Sequence, residues 1–176
     1  MALSKIDAAN FLTGTIPQGN VANASLGAVT SLPAAITTGK VLQVVTATDT
    51  TERSTTSNSF VTASNSLTVN ITPASTSNKI YVVVSAGMHG STTTANAVAT
   101  IYRDSTDLGS GTSGFAVTYA EGGADIGSPV SMTVLDSPSS TSQVTYQVYI
   151  RAGSSANAFI NTFSEKGTIT AFEIAG

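Results

Sequence analysis

The sequence has no cysteine, no tryptophan and one histidine among its 176 residues. Without thiols there is no disulfide framework, no Cys-based zinc site and no thiol nucleophile. Charge is scarce as well. Asp, Glu, Lys and Arg together make up 10% of the chain, against about 25% in an ordinary soluble domain. Seven cations face ten anions, for a net charge of −3. That balance offers no electrostatic footprint for nucleic acid. No uninterrupted apolar run approaches the ~20 residues that span a bilayer. Neither a nucleic-acid partner nor membrane insertion is expected. The opening residues Met1-Ala2-Leu3-Ser4-Lys5-Ile6-Asp7 lack the apolar stretch of a secretory signal, so synthesis in a cytoplasm is expected.

What the chain does have is small and polar. Its 24 Ser and 28 Thr supply about 30% of the residues. Hydrophobic residues still make up 41%, enough for a core of one domain. A soluble monomer usually keeps itself apart from its neighbours with charge. Here hydroxyls, amides and glycines take that place.

The composition divides near residue 38. In residues 1–38, Gly14, Pro17, Gly19, Gly27 and Pro33 recur too often for a helix or a long central strand. Ile16, Val21, Leu26, Val29 and Leu32 recur every three to five residues between small polar ones. Phe11 and Leu12 precede them. This pattern predicts an extended N-terminal arm whose apolar residues pack against other copies or another protein, rather than a tail without partners.

Residues 39–176 read as a succession of short strands. Leu67, Val69 and Ile71 alternate on one face, as do Val130, Met132 and Val134. Ile80-Tyr81-Val82-Val83-Val84 is apolar on both faces, as in a central strand. Further strands are expected at 41–46, 97–102, 115–119, 144–150, 158–160 and 168–174. Turn residues separate them, such as Thr72-Pro73, Asp107-Leu108-Gly109 and Ser137-Pro138. No stretch reads as a convincing amphipathic helix. The fold class expected is all-β: an antiparallel two-sheet sandwich, most simply a jelly roll, preceded by the arm. Threonine lets such strands form without charge. It is β-branched, and its hydroxyl can face water or a cross-strand partner.

Candidate chemistry is sparse. His89 lies in Ala86-Gly87-Met88-His89-Gly90, with no Gly-x-Ser-x-Gly elbow to serve as its nucleophile. It reads as a loop or interface histidine at a strand end. Asp104-Ser105-Thr106-Asp107 is the densest acidic spot. Two carboxylates with hydroxyls suit Ca²⁺ in a turn, and they suit equally a turn that bonds its own backbone. Asp104 beside Arg103 also reads as a surface ion pair. Glu121 and Asp125 flank a Gly-Gly-Ala loop. The candidate exposed binding loops are 86–96, 104–114 and 120–129, carrying His89, Asp104, Asp107, Glu121 and Asp125. Tyr102, Tyr119, Tyr146 and Tyr149 read first as core, and otherwise as lining of a sugar-binding or inter-subunit surface. No catalytic, cofactor or metal site is assigned.

Several segments in order resemble a β domain found in tailed-bacteriophage virion proteins. They are Gly39-Lys40-Val41-Leu42-Gln43-Val44-Val45, Ile71-Thr72-Pro73-Ala74-Ser75-Thr76-Ser77-Asn78-Lys79-Ile80 and Tyr102-Arg103-Asp104-Ser105-Thr106. Leu135-Asp136-Ser137-Pro138 and Thr168-Ile169-Thr170-Ala171-Phe172-Glu173-Ile174 complete the series. Leu12-Thr13-Gly14-Thr15-Ile16-Pro17 resembles stalk segments of phage fibres. The resemblance implies a non-enzymatic homotrimer outside the particle, with no cofactor. It implies a tail fibre or tail-associated appendage anchored by residues 1–38, possessing a β-sandwich that could bind a host surface glycan. A capsid decoration protein clamping major capsid subunits is the alternative, and a carbohydrate-binding module the second. On this reading Phe11, Leu12, Ile16, Val21, Leu26, Val29 and Leu32 make the arm and trimer contacts, and other virion proteins are the partners.

Overall fold

Alternation along the chain decides which side chains meet in the interior. In Val144–Ala152, the residues Val144, Tyr146, Val148, Ile150 and Ala152 are buried and the intervening ones are not. Period-two burial of this kind is what a half-covered strand requires. A computed structural model describes residues 40–64, 66–91, 96–119, 126–153 and 157–176. Through them run β1 (Val41–Asp49), β2 (Arg53–Thr55), β3 (Val61–Thr62), β4 (Thr68–Ile71), β5 (Lys79–Ser91) and β6 (Asn96–Arg103). They continue with β7 (Thr106–Asp107), β8 (Ala116–Tyr119), β9 (Ile126–Asp136), β10 (Val144–Ala152), β11 (Asn157–Ile160) and β12 (Gly167–Ile174). Among the described residues the one helical element is a 3-10 turn, Thr162–Ser164.

Two antiparallel sheets result. In the first, β5 pairs with β9 from Ile80↔Asp136 to Gly90↔Ile126. Its other edge is shared. The Lys79–Ser85 half pairs with β12, and the Met88–Ser91 part pairs with β11. β1 adds to β12, and β2 adds to β11. In the second sheet, β10 lies between β6 on one edge and β4 and β3 on the other. β7 and β8 then share the free edge of β6. Counting each interrupted pair as one run, the chain makes eight runs, ordered 1-8-3-6 in the first sheet and 2-7-4-5 in the second. That is the double Greek-key order of a jelly roll. The expected sandwich is therefore the observed one.

The core lies between the sheets. Ile80, Val82, Val84, Ala86 and Met88 of β5 face Val144, Tyr146, Val148, Ile150 and Ala152 of β10. Fully burying such an aliphatic side chain contributes about 1.5–3 kcal/mol. Strand polarity sorts the connections to two ends. At one end, called the root, lie Lys40, the last residue Gly176, segment 72–78, the Asp104-Ser105 turn and segment 137–143. At the far end, β5 stops at Ser91, β8 at Tyr119 and β10 at Ala152. The far end also holds residues 161–166, between β11 and β12.

β5 is the central strand expected, paired on both edges, but its outward face is not buried. Ile80-Tyr81-Val82-Val83-Val84 is apolar on both faces, yet only Ile80, Val82 and Val84 are fully buried. Among the described residues nothing covers the outward face, where Tyr81 is 36% exposed.

Candidate functional site

The outward face of the first sheet is built from four strands in register. Val44 of β1 lies opposite Phe172 of β12, Phe172 opposite Tyr81 of β5, and Tyr81 opposite Leu135 of β9. These four side chains form an apolar row straight across the sheet. Val44 and Leu135 are each 54% exposed. The Tyr81 and Phe172 rings sit 6.2 Å apart. Leu42 and Ile174 lie beyond the row toward the root.

Toward the far end the face changes character. The next row reads Thr46, Thr170, Val83, Thr133, and the one after it Thr48, Thr168, Ser85, Ser131. The hydroxyls of Thr46 and Thr170 are hydrogen-bonded across the strands at 2.9 Å. Lys79 is the one charged residue directed outward from these strands. Asp49, Asp136 and Glu173 alternate onto the inner side.

A raised turn closes the far end of this face. Between β11 and β12 the chain leaves the sheet and crosses the outer side of β5. The Asn161 N–H donates to the Gly87 carbonyl at 2.8 Å. The Glu165 carboxylate occupies the space where a Cβ on Gly87 would stand. Glu52 Oε2 accepts from the Phe163 N–H at 3.3 Å. Three residues here are left-handed without being glycine: Asn161 (φ 55), Phe163 (φ 58) and Ser164 (φ 62). Each such conformation costs about 1–2 kcal/mol for a residue with a Cβ. The turn nevertheless holds Phe163 out into solvent, 87% exposed.

His89 belongs to the support of this turn. The sequence placed it in an exposed loop, and that placement is corrected: β5 runs on to Ser91 and His89 is buried within it. Pairing with both β9 and β11 keeps the Met88–Gly90 backbone in the sheet. The His89 ring stacks on Phe159 at 4.3 Å, and its Nδ1 is hydrogen-bonded to Thr162 Oγ1 at 2.9 Å.

Buried polar clusters brace the sandwich elsewhere. Glu173 faces inward near the root and accepts from Gln43 Nε2 at 2.6 Å, the Ala74 N–H at 2.6 Å and Asn78 Nδ2 at 2.5 Å. Burial alone would raise its carboxyl. The hydrogen bonds from Asn78, Gln43 and Ala74 outweigh that and hold it below the usual carboxylate value. Asp49 behaves alike: burial raises it, and bonds from Ser64 and Thr51, with Arg53 nearby, bring it below. Arg103 Nη1 reaches both oxygens of Asp136 at 2.8 Å, so the surface pair expected with Asp104 is not the one formed. Tyr146 donates to the same carboxylate. Burial, followed by Asp136, pushes its phenol well above the ordinary value.

The remaining predicted positions do not converge. Asp104 takes φ 51 at the root-end turn, and its Oδ1 accepts from the Thr145 N–H at 3.0 Å. Asp107 Oδ1 accepts from Thr100 Oγ1 at 2.6 Å and from the Gly109 N–H at 2.9 Å. The Gly109 bond ties the turn's own backbone, whereas the Thr145 and Thr100 bonds fasten it to β10 and β6. Among the described residues no group of three or more His, Cys, Asp or Glu is placed to hold a metal ion. His89 lies toward the far end of the sandwich, a strand length from the Asp104–Asp107 turn. Glu121, Asp125 and the arm residues Phe11, Leu12, Ile16, Val21, Leu26, Val29 and Leu32 lie outside the described residues. Of the tyrosines, Tyr146 is core, whereas Tyr119 is exposed. Tyr102 and Tyr149 stack on each other at 4.0 Å on the outer face of the second sheet, with Phe60 edge-on to Tyr102 at 6.3 Å. Arg151 caps Phe60 and donates to the Thr112 carbonyl.

The apolar row and Phe163 are what sequence reading missed. The row's members sit on strands already expected, but only register aligns them. Residues 161–164 contain no glycine to signal left-handed backbone.

No family model matches the chain, and no curated protein matches it by sequence. Solved structures similar to it include the infectious bursal disease virus VP2 subviral particle. That match has 14% identity and a TM-score of 0.38, and covers 75% of this chain and 39% of the other. The T13 particle of the same virus matches at 13% identity and a TM-score of 0.35, covering 77% and 38%. The chain thus spans less than two-fifths of the length of these structures. No helix of the described residues is long and apolar enough to cross a membrane.

Proposed function

We propose that this chain is a non-enzymatic structural protein of a tailed-phage virion, a homotrimeric tail fibre or tail-associated appendage. Residues 1–38 anchor it to other virion proteins, and the sandwich of residues 39–176 stands outside the particle. The polarity of the sandwich carries the reading. The chain enters at Lys40 at the root, and the strand ends flanking residues 92–95, 120–125 and 154–156 lie at the opposite end. A module held at one end and displaying the other suits attachment outward from a particle. The ordered series of phage-like segments supports the same reading. So does the commitment of the buried ionisable groups: His89, Glu173, Asp49 and Asp136 each bond a structural partner.

The test is made on particles. Deleting residues 1–36 is expected to abolish incorporation while the remaining chain folds. Copy number then places the protein. A small multiple of three copies supports the tail, and hundreds of copies would replace this reading with capsid decoration. Binding of the outward sandwich to host cells or to their surface glycan is expected for a receptor-binding appendage. Hydrolysis of host polysaccharide would overturn the non-enzymatic reading.

A further inference from the structure

We propose that residues 28–32 of one copy add a strand to the free edge of β1 in a second copy. This pairing deepens the homotrimer of the proposed function, on which it rests, by giving the arm its seat on a neighbour.

The two sheets have four edges, and three are blunted. In the second sheet both edges are made of strands of two to four residues, β3 and β4 on one and β7 and β8 on the other. In the first sheet β9 carries Pro129, which has no N–H to offer a further strand. β1 is nine residues long and has no proline, no glycine and no charge before Asp49. Such an edge is a template for another strand, and natural sheets seldom leave it bare. Pro129 also fixes which backbone groups are free. It lies opposite Gly87, so the odd-numbered residues of β5 turn their backbone groups away from β9. The Gly87 carbonyl accordingly accepts from Asn161 on that other side. Carried through β12, the same alternation leaves the N–H and C=O of Val44, Thr46 and Thr48 directed off the sheet. Among the described residues no further strand lies beyond β1 to take them. The inner side is open too. Val45 and Ala47 are only partly buried, whereas Ala171 and Ile169 beside them on β12 are fully buried.

The edge calls for an uncharged extended strand with backbone N–H groups at alternate positions. The arm holds one. Residues 8–39 contain no charged side chain, and they lead into Lys40 at the root end of β1. Run antiparallel to β1, Leu32 falls beside Val44, Thr30 beside Thr46 and Ala28 beside Thr48. Leucine then extends the row of Val44, Phe172, Tyr81 and Leu135, and threonine extends the row of Thr46 and Thr170. On the inner side Val29 falls beside Ala47 and Ser31 beside Val45. Pro33 falls where its nitrogen points away from β1, as that of Pro129 points away from β5. A register one residue off would turn Val29 outward and aim Pro33 at the ladder. A hairpin from the chain's own residues would make its first pairs across the bulge between Val41 and Gln43. A neighbour's strand needs only residues 44–48. Seven residues, about 23 Å when extended, then return it to its own Lys40. That reach sets the root ends of the copies side by side. The 27 residues before Ala28 span up to about 90 Å and still reach the particle. Each copy gives one strand and receives one, a head-to-tail arrangement that closes into a ring when the rotation allows.

The absence of cysteine makes the test direct. Bonded antiparallel pairs stand about 5.5 Å apart at Cα, within reach of a disulfide. Full-length Thr30→Cys and Thr46→Cys proteins are mixed and oxidised. The expected product is the mixed disulfide, in excess over either self-linked pair. One chain carrying both substitutions is expected to give covalent trimers on a non-reducing gel. Ser31→Cys, which faces the other side of the sheet, should link far less to Thr46→Cys. Thr46→Pro removes a free N–H and leaves the β12 ladder intact. Its chain should fold as before, while sedimentation shows self-association weakened about tenfold. Disulfides within single chains only, linking no better than with Ser31→Cys, or undiminished association of Thr46→Pro would overturn this pairing alone. A monomeric parent chain would overturn it together with the trimer. These readouts use purified protein, so a missing link leaves the anchoring of residues 1–38 to the particle standing. Loss of particle incorporation would leave the link between positions 30 and 46 unchanged.

Discussion

The Tyr146 hydroxyl lies 2.7 Å from Asp136 Oδ2, joining the second sheet to the last residue of β9 in the first. Arg103 completes the cluster from β6, with its side chain 24% exposed and that of Asp136 11%. Tyr146→Phe removes one hydrogen bond to a charged acceptor, an expected loss of about 1–2 kcal/mol. Arg103→Met leaves the carboxylate without its cation, and about 2–3 kcal/mol is expected, less than for a fully buried pair. Denaturant midpoints at one fixed protein concentration, with unchanged slopes, measure both. Equal losses, or the reverse order, would show that the cluster does not hold the sheets together.

Acid should weaken the fold through two carboxyls. Glu173 and Asp49 both sit below their ordinary values of 4.5 and 3.8. Each binds its proton less readily when folded than when unfolded. Their stabilisation is therefore complete above those ordinary values and is lost as pH falls through the lower, folded ones. Melting temperature is expected to be flat near neutrality and to drop below about pH 4.5. Glu173→Gln should melt lower at pH 7, because an amide presents N–H groups to donors already there, and its acid limb should be shallower. An acid limb as steep as in the parent protein would remove Glu173 from this account.

Two glycines separate close approach from mere crowding. Gly114 is left-handed at φ +54, and a Cβ there would meet the Ala99 backbone oxygen. Gly87 would meet only the end of the exposed Glu165 side chain, which can turn away. Gly114→Ala is expected to cost about 1–2 kcal/mol or more, and Gly87→Ala less. Comparing their melting temperatures checks the order.

Phe163→Gly should stabilise the chain. Glycine relieves the left-handed backbone at φ 58, so stability is expected to rise by about 0.5–1 kcal/mol. Calorimetry reads the change. A destabilised chain would mean that the ring packs within its own copy.

Much of the sandwich was legible from alternation. β4, β9, β10 and β12 stand where Leu67–Ile71, Val130–Val134, Val144–Ile150 and Thr168–Ile174 predicted them. β2, β3 and β7 did not announce themselves. Arg53–Thr55, Val61–Thr62 and Thr106–Asp107 are too short for any period, and they are strands only because longer neighbours supply hydrogen bonds. The candidate loops fared differently. His89 looked like a strand end because glycines surround it, but a strand paired on both edges tolerates them. Arg103 finds a partner 33 residues away rather than its chain neighbour. Pairings that depend on how eight runs stack leave no trace in local spacing, and the apolar row is of the same kind.

The two ends of the described chain meet at the root. The Ala175 N–H donates to the Lys40 carbonyl at 3.1 Å, and the Gly176 N–H donates to Asn78 Oδ1 at 3.2 Å. A peptide fused after Gly176 would thus emerge beside the point where residues 1–38 join the sandwich. Under the proposed anchoring through residues 1–38 it would be poorly displayed. Cargo meant to face outward belongs instead between β8 and β9, at the opposite end, where an insertion leaves the Lys40–Ala175 junction untouched.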